Sequence, residues 1–586
     1  MENITHSTNS VQACQNCKKD FTIEADDFSF YEKINVPPPT WCPECRMKRR
    51  MCWRNCRSLH KRICGGCNKS LISMYSEKDP APVFCTECWN NGGLDMFSYG
   101  VDYDFSRPFF EQLAQLFKIT PRFYAYRFGN LINSEYTNYS KDQKNVYLAY
   151  SCIGCEDIMY SEIVDDSKNC LDCFCVKKID GCFYNVDCMG NYNSHYMIKS
   201  DSCIDSHFLY DCDNCSNCFL SYNLRNQQYV FKNRKMPKED YMETLKNYKL
   251  GTYQGIEKIK IEFSDLIENK AIHKYANTDS VENTTGDNIN NTRNIKKCFD
   301  THDSENISYS NRVLWSKDSM DNTGLGFGEL IYESLAATQN TFKNSFCYLT
   351  IQGCRECEYS LILKNCSNCF GCVGLTNAQY CIFNKQYSKD EYFEKVEKIK
   401  KHMDEMPYLD RNGRVFKYGE FFPYEMSPFG YNETNTHDFF PISKEEAIGQ
   451  GYNWFDRIKR DYQITIDSQD LPNDIKDVDD SILQEVIGCP NDGNPMTQCT
   501  GAYKIVDAEL SFYRQKGLPL PRFCPNCRHY ERLKYRNAMR LYHRKCICEK
   551  EEHMHAGSCQ NDFETTYAPD RPEKVYCESC YNKEIY

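Results

Sequence analysis

The chain has 586 residues, 41% hydrophobic content, 38 cysteines and a net charge of −11. That is long enough to bury cores of its own, and it is not the composition of a disordered polyanion. The opening MENITHSTNSVQACQNC lacks the basic and apolar regions of a secretory signal, and no segment approaches the ~18 apolar residues of a membrane span. The reading is a cytoplasmic protein without membrane attachment, whose thiols stay reduced and available to metal.

Residues 1–90 carry four Cys-x-x-Cys pairs. Such a pair forms a knuckle presenting two thiolates to one ion, and two knuckles complete a tetrahedral zinc site. The first site is assigned Cys14, Cys17, Cys42 and Cys45, the second Cys64, Cys67, Cys85 and Cys88. Modules of roughly 30 residues bury too little apolar surface to fold alone, so structural zinc, worth ~10–16 kcal/mol in peptides, is expected to fold this double zinc ribbon. Four thiolates leave no open position for substrate. Cys52 and Cys56 fall outside the pattern. From Trp41 to Cys64 eight Lys/Arg stand against one Glu, and the spacing of Arg46, Arg50 and Arg54 puts all three on one face of a helix.

After a helical connector over 91–130 the text becomes repetitive. NCSNCFLSYNLRNQQYVFKNRKMPKEDY at Asn214 returns as NCSNCFGCVGLTNAQYCIFNKQYSKDEY at Asn365, a shift of 151, so 131–235 and 287–386 are related halves. Within each, short strand-like pieces such as IMYSE, HYMIK and HFLYD recur every 10–14 residues between Asn, Asp, Ser and Gly, which predicts β-solenoid coils of ~22–24 residues, about four per half and ~20 Å long. Cysteines inside these halves read as a buried ladder, with extra metal sites as the alternative. GLGFGE at Gly324 lacks the lysine of a P-loop and reads as a solenoid turn. Helices close each half, one in a connector over 236–286 and one over 387–410 where Ser388 and Glu391 make a capping box; 411–484 reads as a connector with one short helix and an acidic linker.

Residues 485–586 repeat the N-terminal module. A constant shift of 482 lays Cys17, Cys42, Cys45 and Cys64 on Cys499, Cys524, Cys527 and Cys546, and a shift of 492 lays Cys67, Cys85 and Cys88 on Cys559, Cys577 and Cys580. Cys14 meets Met496 in this register, and the missing thiol is Cys489. The third site is therefore Cys489, Cys499, Cys524 and Cys527; the fourth is Cys546, Cys559, Cys577 and Cys580, with Cys548, His553 and His555 of an insert as rivals for the place of Cys546. About four zinc ions result. Arg528, Arg532 and Arg536 occupy the register of Arg46, Arg50 and Arg54, and ten Lys/Arg stand against one Glu between Arg514 and Cys546. Either the arginines pair with carboxylates and carbonyls, or they form a phosphate-contacting stripe.

The order of a basic double ribbon, Cys/Asn-rich repeats, SPFGYNET, KEEA, GYNW and a closing TTYAPDRPEKVYCESCY resembles that of uncharacterised bacterial multi-zinc-ribbon proteins over nearly the full length. The resemblance implies zinc and this architecture and brings no activity with it. The fold class expected is mostly β, zinc ribbons at both ends of two solenoid halves. The function expected is non-catalytic: RNA or another polyanion gripped by the basic ribbons, both trios facing a common ligand, with Trp41, Trp53, Tyr530 and Tyr535 placed to stack on bases. The alternative is a scaffold binding a protein partner on the solenoid; a thiol redox enzyme is third, since no βαβ pattern surrounds any Cys-x-x-Cys.

Overall fold

Through the central region every third residue takes a left-handed backbone. In the computed structural model, which describes residues 8–457, 462–553 and 555–586, φ is positive at Asp142, Asn145, Leu148, Ser151, Gly154 and Asp157, and the rhythm holds to Lys232. Residues 1–7, part of the segment read above as lacking a signal, and residues 458–461 of the linker lie outside the described residues. Each left-handed residue is a corner. Asn, Asp and Gly adopt that conformation at least cost, which is why they crowd this text.

Successive coils pair in parallel, each residue opposite the one twelve further on, as in Ile153 with Lys141, Glu156 with Lys168 and His207 with Phe219. Twelve residues with a corner every third give four short sides per coil. The expected coil of ~22–24 residues is therefore two coils, because each recurring strand-like piece is a full turn and not half of one. From Arg127 to Phe231 the first stack has about nine coils, roughly 40 Å at ~4.8 Å each, twice the expected length. In the second stack the same twelve-residue parallel pairing runs through Thr278–His302, Glu305–Ser308, Asn311–Leu314 and Lys317–Glu329, as in Arg293 with Glu305 and Asn311 with Thr323.

The chemistry of the interior follows from backbone hydrogen bonding. Of the three N–H groups on a side, two bond to neighbouring coils, for example Asp172 to the Met159 carbonyl and Phe174 to that of Asn185. The third, on the inward residue, points into the core. A small side chain one coil earlier accepts it: Ser161 Oγ takes the Cys173 N–H at 2.9 Å, Ser206 Oγ that of Cys218 at 3.1 Å, Asn191 Oδ1 that of Cys203 at 2.8 Å and Cys212 Sγ that of Leu224 at 3.4 Å. The same side chains donate onward, Cys188 Sγ to the Met197 carbonyl at 3.4 Å and Asn191 to that of Ser200 at 2.8 Å. At these positions the side chain is small, buried and able both to give and to accept, as cysteine, serine and asparagine are, while Val164, Ile179, Met197 and Leu209 fill other inward positions with apolar volume.

Two coils of the second stack hold thirteen residues: Tyr332 pairs with Ser345, Leu335 with Tyr348 and Tyr348 with Leu361. The extra residues sit at doubled corners, Gln339–Asn340 and Gln352–Gly353, where two consecutive φ values are positive. Upstream of these corners equivalent residues of the two stacks are 149 apart. Downstream they are 151 apart, the shift seen in the sequence.

The chain forms two compact units, one of Met1–Ala125, Ala276–Phe455 and Met539–Leu541, the other of Tyr126–Tyr275, Asp456–Ala538 and Tyr542–Tyr586. Each double module thus packs with the stack that is remote from it in sequence. Helices Lys238–Asn247 and Lys389–Glu405 follow the last coils, the second opened by the Ser388–Glu391 capping box. The segment expected to be a mere connector after residue 411 is core in the first unit. Phe421, Phe422, Tyr424 and Phe429 are buried, and Trp53 packs on Phe422 with ring centroids 5.0 Å apart.

Candidate metal centres and the arginine locks

Four modules share one construction. A two-stranded hairpin carries the first cysteine pair at its turn, and the second pair opens a helix whose N-cap is its first cysteine. Ser10–Ala13 with Asp20–Ile23 hold Cys14 and Cys17, and Cys42 caps Pro43–Met51. His60–Ile63 with Ser70–Ser73 hold Cys64 and Cys67, and Cys85 caps Thr86–Asn91. Ile487–Gly488 with Ala502–Tyr503 hold Cys489 and Cys499, and Cys524 caps Pro525–Leu533. Tyr542–Lys545 with Asp562–Thr565 hold Cys546 and Cys559, and Cys577 caps Glu578–Ile585. A thiolate at a helix N-terminus is favoured by the macrodipole and the free N–H groups there.

In each predicted group the four sulfurs lie within 4.8 Å of one another. Cys17 and Cys42 are 3.8 Å apart, Cys67 and Cys85 3.8 Å, Cys489 and Cys527 3.9 Å, and Cys559 and Cys577 3.9 Å. The edge of a tetrahedron of thiolates at ~2.3 Å from a central ion is ~3.8 Å, so the residues present fit a metal. No described cysteine is in a disulfide. The same outer hydrogen bond recurs in all four modules: the N–H of Cys42 reaches Cys14 Sγ at 3.2 Å, and Cys85, Cys524 and Cys577 reach Cys64, Cys489 and Cys546 at 3.4, 3.4 and 3.2 Å. Hydrogen bonds from Cys42 and then Cys45 hold the Cys14 thiol far below its ordinary pKa, and those from Cys489, Cys499 and Cys527 do the same for Cys524. A fifth group, Cys548, His553, His555 and Cys580, meets the same distance criterion. Cys52 and Cys56 stand apart: Cys52 Sγ accepts from the Thr436 hydroxyl at 3.3 Å, and Cys56 donates to Asn435.

The arginine trios are not a solvent-facing stripe. Arg46 Nη2 is 2.8 Å from Asp321 and Arg50 Nη1 3.2 Å from the other oxygen of the same carboxylate, while Arg50 Nη2 donates to the Tyr309 carbonyl at 3.2 Å. In the second unit Arg528 Nε is 2.9 Å and Arg532 Nη1 2.7 Å from the two oxygens of Asp172, and Arg532 Nη2 donates to the Tyr160 carbonyl at 2.9 Å. The tyrosines close the pattern: Tyr309 donates to Asp27 at 2.8 Å and Tyr160 to Glu509 at 2.9 Å. Arg46, Arg50, Arg54, Arg528 and Arg532 are all buried, so a polyanion cannot reach them, contrary to the expected phosphate contacts. Arg536 is half-buried and lies 3.1 Å from Asp187. Gly324, read as a turn, is a corner with φ +72°, and a Cβ there would stand 2.8 Å from the Arg54 guanidinium. Trp41 and Trp53 are fully buried and cannot stack on bases. Sequence reasoning missed the partners Asp321, Asp172, Tyr309 and Tyr160; the only signal was that the two stacks share them at a constant separation of 149.

No protein-family model matches the chain, and no curated protein does. Among solved structures, one described as a putative acetyltransferase from Desulfovibrio desulfuricans G20 aligns at 10% identity over 56% of this chain and 94% of its own, with a TM-score of 0.10, a likeness too slight to bear on fold or activity. Among the described residues no helix is long and apolar enough to cross a membrane.

Proposed function

We propose that the chain is a non-catalytic scaffold in which structural zinc folds double zinc ribbons, the ribbons lock onto β-solenoid halves, and the exposed solenoid faces take a protein partner in the reducing cytoplasm. The observation that carries this reading is the pair of buried arginine–aspartate locks. The most distinctive basic residues of each ribbon are engaged inside their own unit, which makes the ribbon helix a clamp. Zinc is the ion suited to four thiolates in a tetrahedron with no open position. Outward on the first stack, Tyr192 and Ile204 lie opposite each other on adjacent coils and are 54% and 46% exposed.

Binding of RNA or another polyanion remains the second reading only through basic residues outside the locks, such as Lys61 and Lys534, which are exposed. Capture of partners from lysate with and without nuclease separates the two. Proteins retained after nuclease support the scaffold. Retention of nucleic acid alone, falling steeply with salt, would establish the polyanion reading instead.

A further inference from the structure

Cys548, His553 and His555 do not compete with Cys546. Cys546 completes the fourth group, while Cys548, His553, His555 and Cys580 make a second set, so both sets contain Cys580. His553 Nδ1 is 3.1 Å from Cys548 Sγ, and its Nε2, across the ring, is 3.4 Å from the Glu584 carboxylate. His555 turns Nε2 to Cys580 Sγ at 3.5 Å while Nδ1 donates to the Gly557 carbonyl at 2.8 Å. Each imidazole has one nitrogen among the thiols and the other held by an oxygen acceptor, the arrangement that orients metal-bound histidines and sets their tautomer. Cys548, His553 and Cys580 are buried and His555 is half-buried. The insert is tied down by the Cys559 N–H on the Cys548 carbonyl at 2.8 Å and by Lys583 on the His553 carbonyl at 2.9 Å.

We propose that this module carries a two-metal centre in which the Cys580 thiolate bridges two zinc ions. One ion is held by Cys546, Cys559, Cys577 and Cys580, the other by Cys548, His553, His555 and Cys580. Sharing one sulfur lets seven side chains complete two tetrahedra. Charge favours the pair as well: an isolated divalent ion with four thiolates leaves a net −2 in the fold, whereas two divalent ions with five thiolates and two neutral imidazoles leave −1. The insert ICEKEEHMHAGS, which the other three modules lack, is thereby explained as the carrier of the second ligand set.

The inference rests on the reading that the Cys546 group holds zinc, and the test separates the two. Zinc is counted in the purified full chain and in a His553→Ala/His555→Ala variant, and the native chain is exchanged with cadmium for 113Cd NMR. The native chain should hold one ion more than the variant, five against four, and two of its cadmium resonances should be coupled to each other through the shared sulfur. Equal zinc content in native and variant overturns the second site while leaving four structural ions in place. Five ions without coupling overturn the bridge. Fewer than four ions in the native chain would overturn the zinc reading itself and this inference with it. Loss of more than one ion on substituting the histidines would show a folding defect, and the native cadmium spectrum then decides by the presence or absence of the coupled pair.

Discussion

Asp321 and Asp172 are each buried against two arginines, and the energetics of such sites are asymmetric. Removing the carboxylate strands two buried guanidinium groups, so Asp321→Ala should destabilise the first unit by ~3–5 kcal/mol in urea unfolding, with Asp172→Ala doing the same in the second. Replacing Arg46, Arg50 and Asp321 together by apolar residues of similar volume should cost less, since neither guanidinium is stranded and the buried Glu333, 3.7 Å from Arg50, keeps its 2.8 Å contact with Arg49. The register of the arginines was legible in the sequence. Their burial was not, because a four-residue spacing serves a docking face and an exposed stripe equally well. His273 is a second residue whose role only packing reveals. Its Nε2 donates to the Ile267 carbonyl at 2.8 Å and its Nδ1 accepts from the Tyr210 hydroxyl at 2.7 Å, and burial pushes its pKa down to about 4. With an unfolded value near ~6.5, the neutral ring stabilises the fold fully above that pH. As pH falls from there the unfolded chain binds the proton first, and the contribution is lost by about pH 4. The stability advantage of the native chain over His273→Gln should therefore shrink by about 3 kcal/mol between pH 7 and pH 4 in paired denaturation curves.

At the scale of the element, the coil answers a hydrogen-bonding question that strand propensity does not pose. One N–H in three faces the core, and at positions such as Cys173, Cys203 and Cys218 the side chain twelve residues earlier accepts it. Ser206→Ala leaves the Cys218 N–H without its acceptor and should cost ~1–3 kcal/mol, whereas Ser206→Cys, which can still accept, should cost clearly less. Equal losses for the two, measured by thermal unfolding, would mean that volume and not hydrogen bonding governs these positions. The triplet rhythm was present in the sequence but masked. Corners accept Tyr160, Phe208, Leu220 and Lys232 as well as Asn, Asp and Gly, so the period of three does not stand out, and an apolar recurrence near twelve fits half of a larger coil as well as one whole coil. The metal modules were easier to read, because thiolate chemistry tolerates few residue types and the Cys-x-x-Cys spacing is set by the knuckle itself.

At the scale of the whole molecule, each unit is assembled from segments far apart in the chain. A break after Tyr275 leaves the N-terminal modules without the stack that carries Asp321, and the first stack without the modules that carry Arg528 and Arg532. Fragments 1–275 and 276–586 should each be poorly soluble alone and should co-purify as a one-to-one complex when co-expressed, as read by size-exclusion chromatography. Two independently soluble, non-associating halves would contradict the discontinuous assembly. On the proposed zinc reading, chelation should act in both units, lowering the unfolding temperature through loss of the helices that carry Arg46, Arg50, Arg528 and Arg532. The sequence by itself determined the four cysteine groups, the two duplications and the predominance of short strands, because thiolate spacing, exact repetition and turn residues are local properties. Tertiary structure alone decided which module meets which stack, that the arginines face carboxylates instead of solvent, and that Cys580 stands within reach of two candidate ligand groups. Those outcomes depend on which surfaces of distant segments fit and exclude water from one another, and no spacing along the chain encodes that fit.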